Sequence, residues 1–241
     1  MSISNESRGR IKKIFEPIAL GMGRLGLTPD GLTLIGFAIT VVGAALLAGQ
    51  QWLIGGIVVL LGGAFDMFDG TLARATGKVS KLGAFMDSVF DRWGEAIVYL
   101  GIVAGCALAD FAGGAILASA AMGAAFMVSY ARAKSEGLGF TSGTGMAAVG
   151  IMPREVRLVI LSIGLILTGL LGGVEYYQGQ GLFPDPGDFN QGRGVLTLAL
   201  GIITLGSTIT VIQRILHVRS QAKSAASTPV STTTHETRST T

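Results

Sequence analysis

The sequence predicts an all-α integral membrane protein: six transmembrane helices preceded by an amphipathic helix on the membrane surface. Three observations predict it. Of 241 residues, 49% are hydrophobic and only 14% charged, with a mean hydropathy of +0.59, whereas soluble domains carry about 25% charged residues. Several apolar runs reach the roughly 20 residues that a helix needs to cross a bilayer. Lysine and arginine are spread very unevenly among the connections between those runs, and such asymmetry sets orientation.

Residues 5–24 interleave Arg8, Lys12 and Glu16 with Ile11, Ile14, Phe15 and Ile18 at helical spacing. This predicts a surface-lying amphipathic helix, and residues 1–24 are assigned to that juxtamembrane element. No short apolar core followed by a small-residue cleavage site occurs there, so the N-terminus is expected to be retained. Thr28-Pro29-Asp30-Gly31 then breaks the helix and caps the next one. Spans are expected at about 32–49, 52–72, 85–108, 112–132, 156–173 and 194–215, within a domain covering 25–218. Many of the 37 glycines lie inside these spans, where small residues let helix backbones approach closely. Residues 219–241 are Ser/Thr-rich and are expected to form a disordered tail.

With the N-terminus in the cytoplasm, only Arg193 of the 18 basic residues falls on the far side, while Asp110, Glu175, Asp185 and Asp188 lie there. Both termini are therefore expected to face the cytoplasm. Cys106 is the single cysteine, which excludes a disulfide framework and a cysteine-based zinc site. The two histidines, His217 and His235, sit near the polar C-terminal end, which argues against a histidine-rich metal site. A net charge of +3 is too small to indicate nucleic acid as a partner.

Chemistry concentrates where the second span ends and the third begins. Asp66 and Asp69 are three residues apart, Asp87 and Asp91 four apart, so each pair shares one helix face. The short connection from Arg74 to Gly83 is expected to make the two helices antiparallel neighbours, with the four carboxylates converging between them. Four anions at membrane depth must be protonated, paired or cation-bound. Arg74 and Arg92 cannot neutralise all four. Hard divalent cations prefer carboxylate oxygens, and two such ions suit an in-line phosphoryl displacement. The other readings are scattered helix-end charge and a cation-coupled transporter. The latter is disfavoured because no half-helix interruption repeats in the two halves of the chain.

The pattern Asp66-x2-Asp69-Gly70-x2-Ala73-Arg74-x8-Gly83-x3-Asp87-x3-Asp91 resembles the signature of the CDP-alcohol phosphatidyltransferase family, with every motif position present. The six spans and the amphipathic N-terminus also resemble the family, over roughly residues 8–218. Members transfer a phosphatidyl-type group from a CDP-linked lipid to an alcohol and release CMP. The resemblance implies two ions, Mg2+ or Mn2+, with Asp66, Asp69 and Asp87 as ligands and Asp91 close to the second ion. It also makes Asp91 the general base for the acceptor hydroxyl. Gly70, Ala73, Arg74, Ser80 and the Pro29-Asp30-Gly31 segment match positions that hold the CDP-lipid. Asp30 departs from the Asn common in relatives. A homodimer in the cell membrane is implied as well.

The acceptor is read from basic residues at three helix ends. Ser129 and Arg132 close the fourth span, Arg154 and Arg157 precede the fifth, and Arg214 ends the sixth. A phosphate-bearing acceptor would explain them, since guanidinium groups bind phosphate through paired hydrogen bonds; the positive-inside rule alone would also place basic residues there. The pattern resembles the branch of the family that makes phosphatidylinositol phosphate from CDP-diacylglycerol and inositol 1-phosphate in actinobacteria, with counterparts in archaea. Arg132 stands where that branch has lysine. Glycerol 3-phosphate is the runner-up acceptor. Glu95, one turn beyond Asp91 on the same face, is left without a role by the sequence.

Overall fold

The computed structural model describes residues 17–140, 149–174 and 190–227. All regular structure among the described residues is helical. A short helix α1 (17–24) is followed by α2 (Pro29–Ala48), α3 (Trp52–Thr76), α4 (Lys81–Leu108), α5 (Ala112–Gly137), α6 (Arg154–Leu170) and α7 (Gln191–Ser227). Six long helices thus stand where six apolar runs were expected. Four of them, α2, α3, α5 and α7, are long and apolar enough to cross a membrane. The other two differ for visible reasons: α4 carries Asp87, Asp91, Arg92 and Glu95 in its first half, and α6 has 17 residues and opens with Arg154, Glu155 and Arg157.

Local sequence explains the boundaries. Thr28 caps α2 by accepting a hydrogen bond from Gly31 N at 3.1 Å, with Pro29 at the first helical position, where its missing N–H costs nothing. Ser80 caps α4 in the same way through Gly83 N at 2.9 Å. Gly77 ends α3 in the left-handed conformation (φ 68°), which glycine adopts without a Cβ penalty. The last helix runs on to Ser227, past the expected end of the domain at 218. Residues 219–227 contain no helix breaker, Ala222, Ala225 and Ala226 favour helix, and Gln221 contacts His217 one turn back. Residues 228–241, like residues 1–16 of the expected amphipathic helix, lie outside the described residues.

The expected packing of α3 against α4 is corrected. α3 packs on α2 and α6, α4 on α2 and α5, and α7 on α5 and α6. Helix α2 is the shared neighbour of the two carboxylate-bearing helices. A short loop limits the distance between two helix ends but does not decide what stands beside them, and α2 offers the better surface. Its close approach to α4 depends on glycine: a methyl group at Gly101 would collide with the Ala44 carbonyl, and one at Gly105 with the Leu47 carbonyl. Around that contact Leu47, Trp52, Tyr99, Ile102, Leu165 and Leu200 form the buried core. Outward-facing Val42, Leu61, Leu100, Leu108, Leu198 and Leu205 are exposed, each more than half so. Lipid is the solvent that suits such an exterior.

Arg193, the exception to the charge asymmetry, is not a loop residue in water. It is 8% exposed, donates to Ala109 O at 3.0 Å and lies 5.0 Å from the centre of the Phe111 ring. It ties the start of α7 to the α4–α5 turn at the end of the bundle remote from the aspartates.

Candidate active site

Asp66 and Asp69 stand near the end of α3, and Asp87 and Asp91 near the start of α4. Small residues on α2 bring them together across that helix. Gly36 leaves room for Asp66, whose Oδ1 would be 3.0 Å from a Cβ there. Thr33 donates from Oγ1 to Asp69 Oδ2 at 2.6 Å. Gly70 N donates to the other oxygen of Asp69, so this carboxylate, only 5% exposed, is held by two donors. Asp87 lies within Coulombic range of Asp66, Asp69, Arg92 and Arg154.

Arg154 is the cation at the centre of the cluster. Its Nη2 is 2.6 Å from Asp66 Oδ2 and its Nη1 is 2.8 Å from Asp91 Oδ1, while Arg92 lies 3.4 Å from the other Asp91 oxygen. A residue expected to hold the acceptor is therefore in direct contact with a predicted metal ligand and the predicted base.

Whether these carboxylates suit divalent metal is a question of donor chemistry and spacing. Among the described residues, no three acidic, histidine or cysteine side chains close on one point as a ready ligand shell. The donor set nevertheless fits hard cations: four carboxylates, no soft ligand, and an anionic excess that Arg154 and Arg92 leave incompletely balanced.

Beside the aspartates lies a cavity of about 250 Å³, bounded by Pro29, Asp30, Thr33, Asp69, Gly70, Ala73, Arg74, Lys78, Ser80, Gly83 and Asp87. Every residue predicted to hold the CDP-lipid lines it except Gly31, whose N–H is engaged by the Thr28 cap. Gly83 faces Asp30 and Ser80, with a Cβ there only 3.0 Å from Ser80 Oγ; its lack of a side chain keeps this corner open. Sequence reasoning missed Thr33 and Lys78. Thr33 carried one signal, its place one helical turn after Pro29 on the face that leads to Gly36.

Of the remaining residues assigned to the acceptor, Arg157 lines a small cavity together with Arg154, while the others stand apart from it. Arg157 is 1% exposed and is bound by Glu95 and by Met152 O. Arg214, 4% exposed, donates to Val149 O at 3.0 Å and to Val128 O, joining α7 to α5 and to the segment before α6. Arg132 pairs with Glu136 on the exposed side of α5 at 3.0 Å, and Ser129 bonds back weakly to Ala125 O at 3.5 Å. Arg92, Arg132 and Arg157 do each lie within Coulombic range of Arg214.

The fold and site define a helical protein with membrane-length apolar helices and an aspartate cluster beside a cavity, and comparison with known proteins gives the family. The CDP-alcohol phosphatidyltransferase profile matches residues 26–183, and the chain belongs to that family of enzymes. Among its relatives is the archaetidylinositol phosphate synthase of Pyrococcus horikoshii, 36% identical over 181 residues, 71% of this chain and 91% of that protein. The phosphatidylinositol phosphate synthase of Cutibacterium acnes is 34% identical over 219 residues, 88% of this chain and 95% of that one. Two crystal structures of Mycobacterium tuberculosis phosphatidylinositol phosphate synthase share the fold at 28% identity. The one with CDP-DAG bound has a TM-score of 0.68 and covers 86% of this chain and 94% of its own. The one in complex with manganese and citrate has a TM-score of 0.69 and covers 86% and 89%.

Proposed function

We propose that this protein is a multi-pass enzyme of the cell membrane that transfers the phosphatidyl group of CDP-diacylglycerol to inositol 1-phosphate, giving phosphatidylinositol phosphate and CMP. The observation that carries this reading is Arg154, a phosphate-binding side chain type, joined to both Asp66 and Asp91 beside the cavity of the CDP-lipid positions. The names of the relatives, and the CDP-DAG and manganese bound to the mycobacterial enzyme, support it. All six long helices cross the membrane in this reading, α4 and α6 with their polar ends together. The aspartates and both termini face the cytoplasm, where a soluble phosphorylated alcohol can reach the site. The homodimer implied by family resemblance is part of the same reading.

Asp66, Asp69, Asp87 and Asp91 would hold the two ions, Mg2+ or Mn2+, which supply charge stabilisation at the pyrophosphate and at the leaving CMP. The protein's own residues do the rest. Gly70, Ala73, Arg74 and Ser80, with Pro29 and Asp30, seat the nucleotide in the cavity, and the lipid tails remain in the bilayer. Arg154 holds the acceptor phosphate, which brings the acceptor hydroxyl next to Asp91 because the same guanidinium contacts that carboxylate. The hydroxyl oxygen attacks the lipid-bearing phosphorus, the bond from that phosphorus to the CMP oxygen breaks, and the hydroxyl proton passes to Asp91.

Arg154→Gln is expected to raise the KM for inositol 1-phosphate about 30-fold or more, the consequence of truncating a charged hydrogen-bonded partner, and to leave the KM for CDP-diacylglycerol within about twofold. Steady-state CMP release checks this; equal rises in both constants would remove Arg154 from the acceptor site. Offering glycerol 3-phosphate, serine and free inositol in parallel tests the acceptor, and a diether donor tests the lipid. Preference for glycerol 3-phosphate would replace the inositol reading.

A further inference from the structure

Between the C-terminal ends of α5 and α7 an apolar groove of about 280 Å³ stays open. Met127, Tyr130 and Leu138 of α5 form one wall, and Val211, Ile215 and Val218 of α7 form the other. The spacing of each set places it on one helix face. Tyr130, Leu138 and Ile215 are each more than half exposed, so no described part of the chain covers the groove. Two cations belong to its lining. Arg214 is buried and donates to Val149 O and Val128 O. Lys134 is exposed, forms no ion pair among the described residues, and meets no acidic residue in the groove.

Helix lengths give the level of this groove in a bilayer. α7 has 37 residues, about 55 Å at 1.5 Å per residue, whereas the hydrocarbon layer is roughly 30 Å thick and takes about 20 residues. Counted from Gln191, hydrocarbon ends near position 211. On α5, counted from Ala112, it ends near position 131, between Met127 and Lys134. The two counts agree: the groove starts inside hydrocarbon and opens at the head-group level, where tyrosine rings such as that of Tyr130 concentrate. Apolar walls below and one unpaired cation at the rim follow the order of an acyl chain and its phosphate. A zwitterionic lipid brings its own cation to that phosphate, and an anionic lipid does not. A second copy of the chain fits less well, because a twofold contact here would bury two copies of Lys134 with no acidic residue in the lining to offset them.

We propose that this groove binds one anionic phospholipid of the adjoining leaflet, with an acyl chain against Met127, Val211 and Ile215 and the phosphate at Lys134. The site is separate from the aspartates and does not depend on which alcohol they act upon. Native mass spectrometry of the full-length protein in detergent tests it, with phosphatidylglycerol and phosphatidylcholine of the same chain length titrated in turn. Phosphatidylglycerol is expected to bind about fivefold more tightly, the contribution of one lysine near the membrane surface. Lys134→Gln is expected to bring the two lipids within about twofold of each other. Arg219→Gln combined with Lys223→Gln removes two charges on α7 outside the lining and is expected to keep the preference. Ala131→Trp fills the groove and is expected to lose the bound lipid. Lipid held beside the aspartates is common to all four proteins and cancels in the comparison. Equal affinity for the two lipids in the wild type, or a preference that survives Lys134→Gln, would overturn the proposal. So would an equal fall in the Arg219 and Lys223 double variant, which would reduce the effect to diffuse surface charge. Unchanged lipid binding by Ala131→Trp together with a change from dimer to monomer would assign the groove to contact between copies instead.

Discussion

Asp91→Asn is expected to lower kcat by about 10²–10⁴-fold, the usual contribution of a positioned general base, with helical content and donor KM unchanged. The replacement is conservative in shape. Asp91 faces Arg154 with one oxygen and Arg92 with the other, at 2.8 and 3.4 Å, and an amide oxygen can still accept from one guanidinium. It loses the charge and the site that takes the proton. Circular dichroism in detergent and steady-state CMP release measure the two sides of this expectation. Turnover within about fivefold of wild type would remove Asp91 from the base role, since it falls well short of any general-base effect.

The second large effect is expected at Asp69. As a carboxylate it accepts from Thr33 Oγ1 and from Gly70 N simultaneously and still offers lone pairs to a cation. Asn has one acceptor oxygen, so its NH2 group must confront one of those donors in a site only 5% exposed. Asp69→Asn is accordingly expected to abolish measurable transfer and to weaken Mn2+ binding by more than the roughly 10–100-fold typical of losing an outer partner of a metal ligand. Thr33→Val removes such an outer partner and should fall within that range. Mn2+ titration followed by electron paramagnetic resonance reads binding without turnover. Unchanged Mn2+ affinity in Asp69→Asn would exclude that carboxylate from the ligand set.

The helices and the carboxylate cluster were legible in the sequence because each depends on periodic, local information. Six apolar runs became six long helices, and the spacing of Asp66 with Asp69 and of Asp87 with Asp91 placed each pair on one face. Neighbour relations were less legible. The short loop between α3 and α4 suggested direct packing, but Gly101 and Gly105 let α2 approach α4, and Gly36 makes space for Asp66. The basic residues show the same limit. Arg154, Arg157 and Arg214 look alike in sequence as arginines at the ends of apolar runs, and nothing local separates them. Only the fold brings Glu95 to Arg157 across 62 positions, and the Val128 carbonyl to Arg214 across 86. A single glutamate left over from the aspartate face was the sole hint of the first contact.

The most direct measurement is the lipid product formed by the purified full-length protein from CDP-diacylglycerol, inositol 1-phosphate and Mn2+, identified by mass and matched to the CMP released. The expected result is phosphatidylinositol phosphate equal in amount to CMP, absent without inositol 1-phosphate, abolished by chelation and formed at least about 100-fold more slowly by Asp91→Asn. CMP release that ignores inositol 1-phosphate, or that survives both chelation and the loss of Asp91, would contradict a metal-bearing aspartate site acting on that acceptor.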